Sequence, residues 1–355
     1  MNRTDITVLL FTHNNNFHGA SLALNSLLNQ SKNPEEIIII DNSSDNNFYK
    51  YKQYVNNRKI KIIYIHNKEK QELVSMISRQ KALKLVQSKY IVLTEDDGLY
   101  VKNFINDLHE GFESGAELIC YKILPNKNFL HAEWKFVDEG KFCTIYSLCD
   151  YGDIKKRIRA NLIFNSFAFS KVAYEKSSGW GPDYFFSKNF FFYNYGGEND
   201  LANSIGSHLS AKKIIYIPSA IMIHSGREKR MNNKFFLFRF SLFGIMKGNK
   251  YIEDNFINKN LSISQKYILK FIYVIKIVVS RLLIFSMFKF FGSKSWKSWL
   301  YKSAIYYYHF KLVKLYYFNN ADLQKFLKNY SNNDWKTFNF KSLKPIKIGF
   351  FEPLI

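Results

Sequence analysis

Tyr90-Ile91-Val92-Leu93-Thr94-Glu95-Asp96-Asp97 is an apolar run that ends abruptly in three carboxylates. Its length and its Ile and Val content suit a buried strand, with Thr94 as the last strand-like residue. Adjacent acids repel one another unless a cation shares them, so a strand end of this composition points to a divalent site of oxygen ligands, suited to Mg²⁺ or Mn²⁺. The same acids would also serve a solvated turn that caps a following helix. Neighbouring segments bear on the choice.

Upstream lie three more strand-like runs, Ile6–Phe11, Glu36–Asp41 and Ile60–His66, and downstream lies Glu117–Ile123. Between them, Ala20–Gln30, Lys70–Gln87 and Val101–Glu113 carry apolar residues at helical spacing and are long enough for crossover helices. Alternation of this kind predicts an α/β fold, a Rossmann-like layer with a mostly parallel central sheet. Ligands of such sheets bind at the carboxyl ends of the strands, which here read Thr12-His13-Asn14, Asp41-Asn42-Ser43 and Glu95-Asp96-Asp97.

Beyond residue 124 the chain is aromatic and less regular, with turns at Gly179-Trp-Gly-Pro182 and Gly196-Gly197 that suit loops around an acceptor pocket. The second glycine pair delivers Glu198 and Asp200 into the start of a helix, as general-base candidates or simply as acids that complement the helix dipole. Lys213–Pro218 and Ala220–His224 are strand-like pieces around Pro218. His224 ends the second piece and is followed by Arg227 and Arg230. A lone histidine there is commonly a structural hydrogen bonder; beside a distant acidic cluster it becomes a third metal ligand, and the arginines become pyrophosphate contacts.

The order of these motifs resembles the family 2 inverting glycosyltransferases of GT-A fold, particularly the bacterial capsule and lipopolysaccharide enzymes, over about residues 5–226. Thr7-Val-Leu-Leu-Phe-Thr-His-Asn14, Ala23-Leu-Asn-Ser-Leu-Leu-Asn-Gln30 and Glu36-Ile-Ile-Ile-Ile-Asp-Asn-Ser43 are similar to that family's nucleotide-binding opening. The resemblance implies donor contacts from Thr12, Asn14, Asp41, Arg79, Glu95, Asp96, Arg227 and Arg230. Arg79 stands in Ser78-Arg-Gln80, where the family has Ala-Arg-Asn. Thr94-Glu-Asp-Asp97 falls at the family's Asp-x-Asp motif, which implies Asp97, Glu95 and His224 as ligands of Mn²⁺ or Mg²⁺. Gly197-Glu-Asn-Asp-Leu201 resembles its acidic base motif with Asn199 interposed, so Glu198 or Asp200 is the base, with Glu198 preferred. The implied activity is an inverting hexosyl transfer from a nucleotide sugar, with UDP as the default nucleotide, to a glycan or lipid-linked glycan acceptor.

The 355 residues carry 51 Lys and Arg against 29 Asp and Glu, a formal charge of +22. Such a charge favours anionic partners, and the excess is localised: residues 255–321 hold eleven Lys/Arg and no acid. Within that stretch, Tyr267–Phe291 is apolar but interrupted by Lys270, Lys276, Arg281 and Lys289, so it lacks the ~18 uncharged residues of a membrane span. Trp296, Trp299 and Tyr306–Tyr308 accompany it, a combination that suits an anionic membrane surface. Packing on the catalytic domain or homo-oligomer formation would use the same apolar faces.

A nucleic-acid-binding protein would account for the charge but lacks a recognition motif and leaves the carboxylates unexplained. A catalytically silent scaffold is the other alternative. The three cysteines, Cys120, Cys143 and Cys149, show no pairing or zinc-ligand spacing, and the opening run Ile6–Phe11 is too short for a signal segment. A reduced, cytoplasmic protein on the inner face of the membrane is expected. The organisation expected is a catalytic domain over 1–235, with a donor half at 1–123 and an acceptor half at 124–235, and a helical region over 236–355.

Overall fold

The computed structural model describes residues 4–13, 16–56, 59–67, 74–126, 149–163, 166–177, 179, 182–187, 190–195, 198–224, 262, 264–265, 267–268, 271–272, 275 and 346–347. The chain divides into two compact units, one made of Met1–His131, Glu139–Asp183 and Asn194–Arg227 and the other of the remaining residues.

The first unit begins with β1 (Ile6–Thr12), α1 (Phe17–Leu28), β2 (Glu36–Asp41), α2 (Phe48–Val55), β3 (Lys61–His66), α3 (Val74–Leu85) and β4 (Tyr90–Glu95). It continues with β5 (Gly98–Tyr100), α4 (Phe104–Glu113), β6 (Leu118–Pro125), β7 (Lys156–Arg157), β8 (Ala168–Ser170) and α5 (Lys171–Lys176). Its last elements are α6 (Glu198–Gly206) and β11 (Ile214–His224). The second unit holds most of β9 (Pro182–Ser187) and β10 (Phe190–Tyr195), and there β12 (Ile346–Lys347) pairs antiparallel with β10 in a separate sheet of order β12-β10-β9.

The main sheet runs β3-β2-β1-β4-β8-β6-β11-β5, with β7 also on β11. Strands β3, β2, β1 and β4 are mutually parallel, and so are β6 and β11. The short β8 lies antiparallel between β4 and β6, and β5 is antiparallel to β11. This is the mixed, mostly parallel α/β sheet that the sequence predicts.

Every residue of β1 and β2 is buried, because helices cover both faces of a parallel sheet and leave no solvent side to alternate with. Even polar strand residues are absorbed: Thr7 donates to Glu36 (3.0 Å), and Lys61 reaches the other oxygen of the same carboxylate (2.9 Å). The two pieces expected around Pro218 are one strand with a bulge between Ile217 and Ile221. Proline has no N–H for the ladder, and the bulge accommodates it without ending the strand.

Candidate functional site

The chain passes from β3 at one side of the sheet back across β1 to β4, so the strand order reverses between β1 and β4. A crevice at the carboxyl ends of strands flanking such a reversal is where open α/β sheets bind ligands. Thr12 ends β1 and Glu95 ends β4, with Phe11 registered opposite Glu95. Antiparallel pairing of β5 with β11 sets His224 opposite Gly98, which brings His224 beside Asp97.

Pairing of this kind assembles a three-ligand cluster from two distant motifs. Oxygen atoms of Glu95 and Asp97 and a ring nitrogen of His224 all lie within 4.8 Å of one another. His224 Nε2 stands 3.4 Å from the Asp97 carboxylate. Two carboxylates and an imidazole form a donor set that fits Mn²⁺ or Mg²⁺. Burial, reinforced by the negative charges of Asp97 and Glu198, pushes the Glu95 carboxyl up to about 8, and the positive charge of Arg79 offsets part of that rise. A cation would offset it further.

Asp96 turns the other way. Its carboxylate is buried and accepts a hydrogen bond from Thr12 Oγ1 at 2.8 Å, tying the ends of β1 and β4 together. Burial pushes its carboxyl up, opposed by the charge of His13 and by hydrogen bonds from Asn16 and Thr12. Asp41 is likewise built in: its oxygens accept from Ser43 N (2.9 Å), Asn47 Nδ2 (3.1 Å) and Tyr64 Oη (2.8 Å). Those three bonds occupy most of the acceptor capacity of a carboxylate. Tyr51 and Tyr64 stack at 5.1 Å beside it.

Glu198 opens α6, where its carboxylate is ion-paired with the Arg79 guanidinium; both side chains are largely shielded from solvent. The guanidinium also lies over the Phe11 ring, 4.4 Å from the centroid, a cation–π contact that fixes the arginine over the end of β1. Asp200 lies on the same helix, and its side chain is outside the described residues. Asn14, Arg227 and Arg230 are outside them as well. The structure therefore brings together Glu95, Asp97 and His224, pairs Arg79 with Glu198 and Thr12 with Asp96, and sets Asp41 among Ser43, Asn47 and Tyr64.

Sequence reasoning missed Phe11, Asn16, Asn47, Tyr51 and Tyr64. The first ends an apolar strand and reads as core. The two tyrosines belong to no motif and lie 10 and 23 positions from Asp41 in sequence, so only the fold places them beside it.

Residues 7–172 match the family model Glycosyl transferase family 2. The match takes in just under half of the chain, and over that stretch the chain is similar to the domains of that family. It takes in Thr12, Asp41, Arg79 and Glu95–Asp97, while Glu198 and His224 lie beyond the matched residues. The chain is also similar in structure to S. aureus TarS, with a TM-score of 0.44 and 13% identity over 74% of this chain and 41% of that one. It spans well under two thirds of the TarS chain. A mycobacterial protein is similar at a TM-score of 0.42 and 9% identity, over 69% of this chain and 74% of the other. No curated protein sequence matches the chain.

Proposed function

We propose that this protein is a metal-dependent, inverting glycosyltransferase that moves a hexosyl group from a nucleotide sugar, with UDP as the nucleotide, to a hydroxyl of a growing surface glycan of the capsule, O-antigen or lipooligosaccharide kind. The observation that carries the reading is the convergence of Glu95, Asp97 and His224 within 4.8 Å at the strand-order reversal of a family 2 domain. Arg79 and Glu198 act electrostatically on that cluster, so a cation site and a base candidate share one neighbourhood.

Asp97, Glu95 and His224 would hold Mn²⁺ or Mg²⁺, whose chemistry there is to neutralise the charge that builds on a departing diphosphate. Glu198 accepts the proton of the acceptor hydroxyl as its oxygen attacks the anomeric carbon from the face opposite the leaving group. Arg79, held by Phe11 and paired with Glu198, orients that carboxylate. Thr12, Asp41 and Asp96 shape the nucleoside end, Asp41 and Asp96 chiefly by fixing the three strand ends.

The place of work is an anionic membrane surface on the cytoplasmic side. Support comes from the acid-free stretch over residues 255–321 with its eleven Lys/Arg and from the exposed apolar side chains of Tyr267, Ile268, Phe271, Ile272 and Ile275. No helix among the described residues is long and apolar enough to cross a membrane.

The test is release of nucleoside diphosphate from UDP-sugars by the purified chain with Mn²⁺ or Mg²⁺, against Asp97→Asn and against excess chelator. Turnover should fall to near background in both, with the melting curve of the metal-free variant little changed. Full activity in chelator would remove the metal from the reading, and no nucleoside diphosphate from any nucleotide sugar would favour a silent scaffold.

A further inference from the structure

Cys120 and Cys149 stand 29 positions apart in sequence, yet their Sγ atoms lie 3.1 Å from each other. Cys120 is in the middle of β6. Cys149 lies where the chain returns along the end of that strand, opposite Ile123, with backbone hydrogen bonds of 2.7 and 3.0 Å in both directions. The returning segment is pinned further: Asp150 and Asp153 reach Lys122 at 3.2 and 2.7 Å, and Tyr151 meets Tyr216 edge to face. Both cysteines are free, and both are buried.

We propose that Cys120 and Cys149 form an intrachain dithiol–disulfide site, closed by a small two-electron oxidant and covalently tying residue 149 back to β6. The sulfurs must approach by a further ~1 Å to reach the ~2.05 Å of a disulfide, with the returning segment shifting toward Cys120 as they do. The surrounding ladder and ion pairs hold the thiols together already, so little chain entropy is lost on closure. Burial pushes the Cys120 thiol well up, which lowers its thiolate fraction and slows its attack on an oxidant until the segment opens.

With diamide as oxidant the atoms balance as follows. One cysteine gives up its proton and adds as thiolate to the N=N bond, and the second thiolate displaces that adduct. Two S–H bonds are lost, one S–S bond forms, and diamide leaves as its hydrazine carrying the two protons and two electrons. The closed bond would fix the start of the 149–153 segment against β6, whose parallel neighbour β11 ends at the site residue His224.

The experiment uses the full chain carrying Cys143→Ser, which leaves only this pair. Native protein is treated with diamide, then denatured with N-ethylmaleimide, and its intact mass is measured. The reduced protein should take two maleimides and the oxidised monomer none, with a mass lower by about 2 Da before labelling and full recovery of both sites after dithiothreitol. Two maleimides on the oxidised protein, or a disulfide-linked dimer, would overturn the proposal. The wild-type chain run in parallel should drop from three maleimides to one, with the remaining label on Cys143; a label on Cys120 or Cys149 instead would overturn it independently of how the variant folds.

Discussion

Glu198 and Arg79 are separated by 119 positions and meet as an ion pair, so the base candidate enters the reaction already held. Glu198→Gln keeps the shape and removes the proton acceptor; initial rates of nucleoside diphosphate release should fall by about 10²–10⁴, with donor affinity little changed. Asp200→Asn should cost less, and the opposite ranking would move the base to Asp200. Glu95 carries a different consequence. Its carboxyl is raised from the usual 4.5 to about 8, so between those values the folded chain keeps a proton that the unfolded chain has released. Metal-free stability must therefore fall as pH rises through that window. Glu95→Gln should flatten the slope and raise stability at pH 8 by roughly 1–3 kcal/mol in metal-free melts, while abolishing the upward shift given by Mn²⁺. A variant that melts lower at pH 8, or still shifts with Mn²⁺, would remove Glu95 from the site. Individual site residues were legible where they end a strand, because a parallel sheet lines up its carboxyl ends in a way chain order alone encodes. Pairings across the fold were not: nothing in the spacing of Arg79 and Glu198, or of Cys120 and Cys149, announces contact.

Secondary structure was most legible where both faces are buried. The Ile-rich β2 was read to its observed bounds, and β1, β4 and the partly buried β3 to within one residue, because the covered strands of a parallel sheet are near-continuous apolar runs. Helix α2, Phe-Tyr-Lys-Tyr-Lys-Gln-Tyr-Val, was missed: only Tyr51 is buried in it, too little to print a helical period on the sequence. The three-residue strands β5 and β8 escaped for want of length, although β5 is what sets His224 beside Asp97. Helix α1 is held against the site by a glycine. A Cβ at Gly19 would stand 2.5 Å from the Asp96 carbonyl oxygen and 2.4 Å from Asn16 Nδ2, and the backbone atom cannot yield without moving the end of β4. Gly19→Ala should therefore lower stability by about 1–3 kcal/mol, as overpacking does, and weaken nucleotide binding more than a substitution on the outer face of α1. Thermal melts with and without UDP check both. A neutral effect on each would show that α1 can shift at no cost to the Asn16–Asp96–Thr12 link.

For the whole molecule the distribution of charge decides the argument. Eleven of the basic residues and none of the acids fall in residues 255–321, half of the net +22. Residues 264, 265, 267, 268, 271, 272 and 275 are helical, and Tyr267, Ile268, Phe271, Ile272 and Ile275 are between 42% and 68% exposed. Spacings of one, four, five and eight place these side chains along one helical stripe, with Lys266, Lys270 and Lys276 interleaved in sequence. Apolar side chains left in water cost free energy that burial in a lipid boundary would recover, while cations meet anionic headgroups within a Debye length of ~10 Å. The full chain should therefore pellet with phosphatidylglycerol-containing vesicles and largely stay in solution with phosphatidylcholine alone. Phe271→Glu together with Ile275→Glu removes apolar contact and adds repulsion, so it should reduce the pelleted fraction several-fold while nucleoside diphosphate release in solution is unchanged. High salt should release the wild type, since attachment rests partly on screened charge. If the doubly substituted chain pellets as well as the wild type, the stripe is not the lipid contact; if it loses activity in solution too, the stripe belongs to the packing of the enzyme rather than to a membrane face.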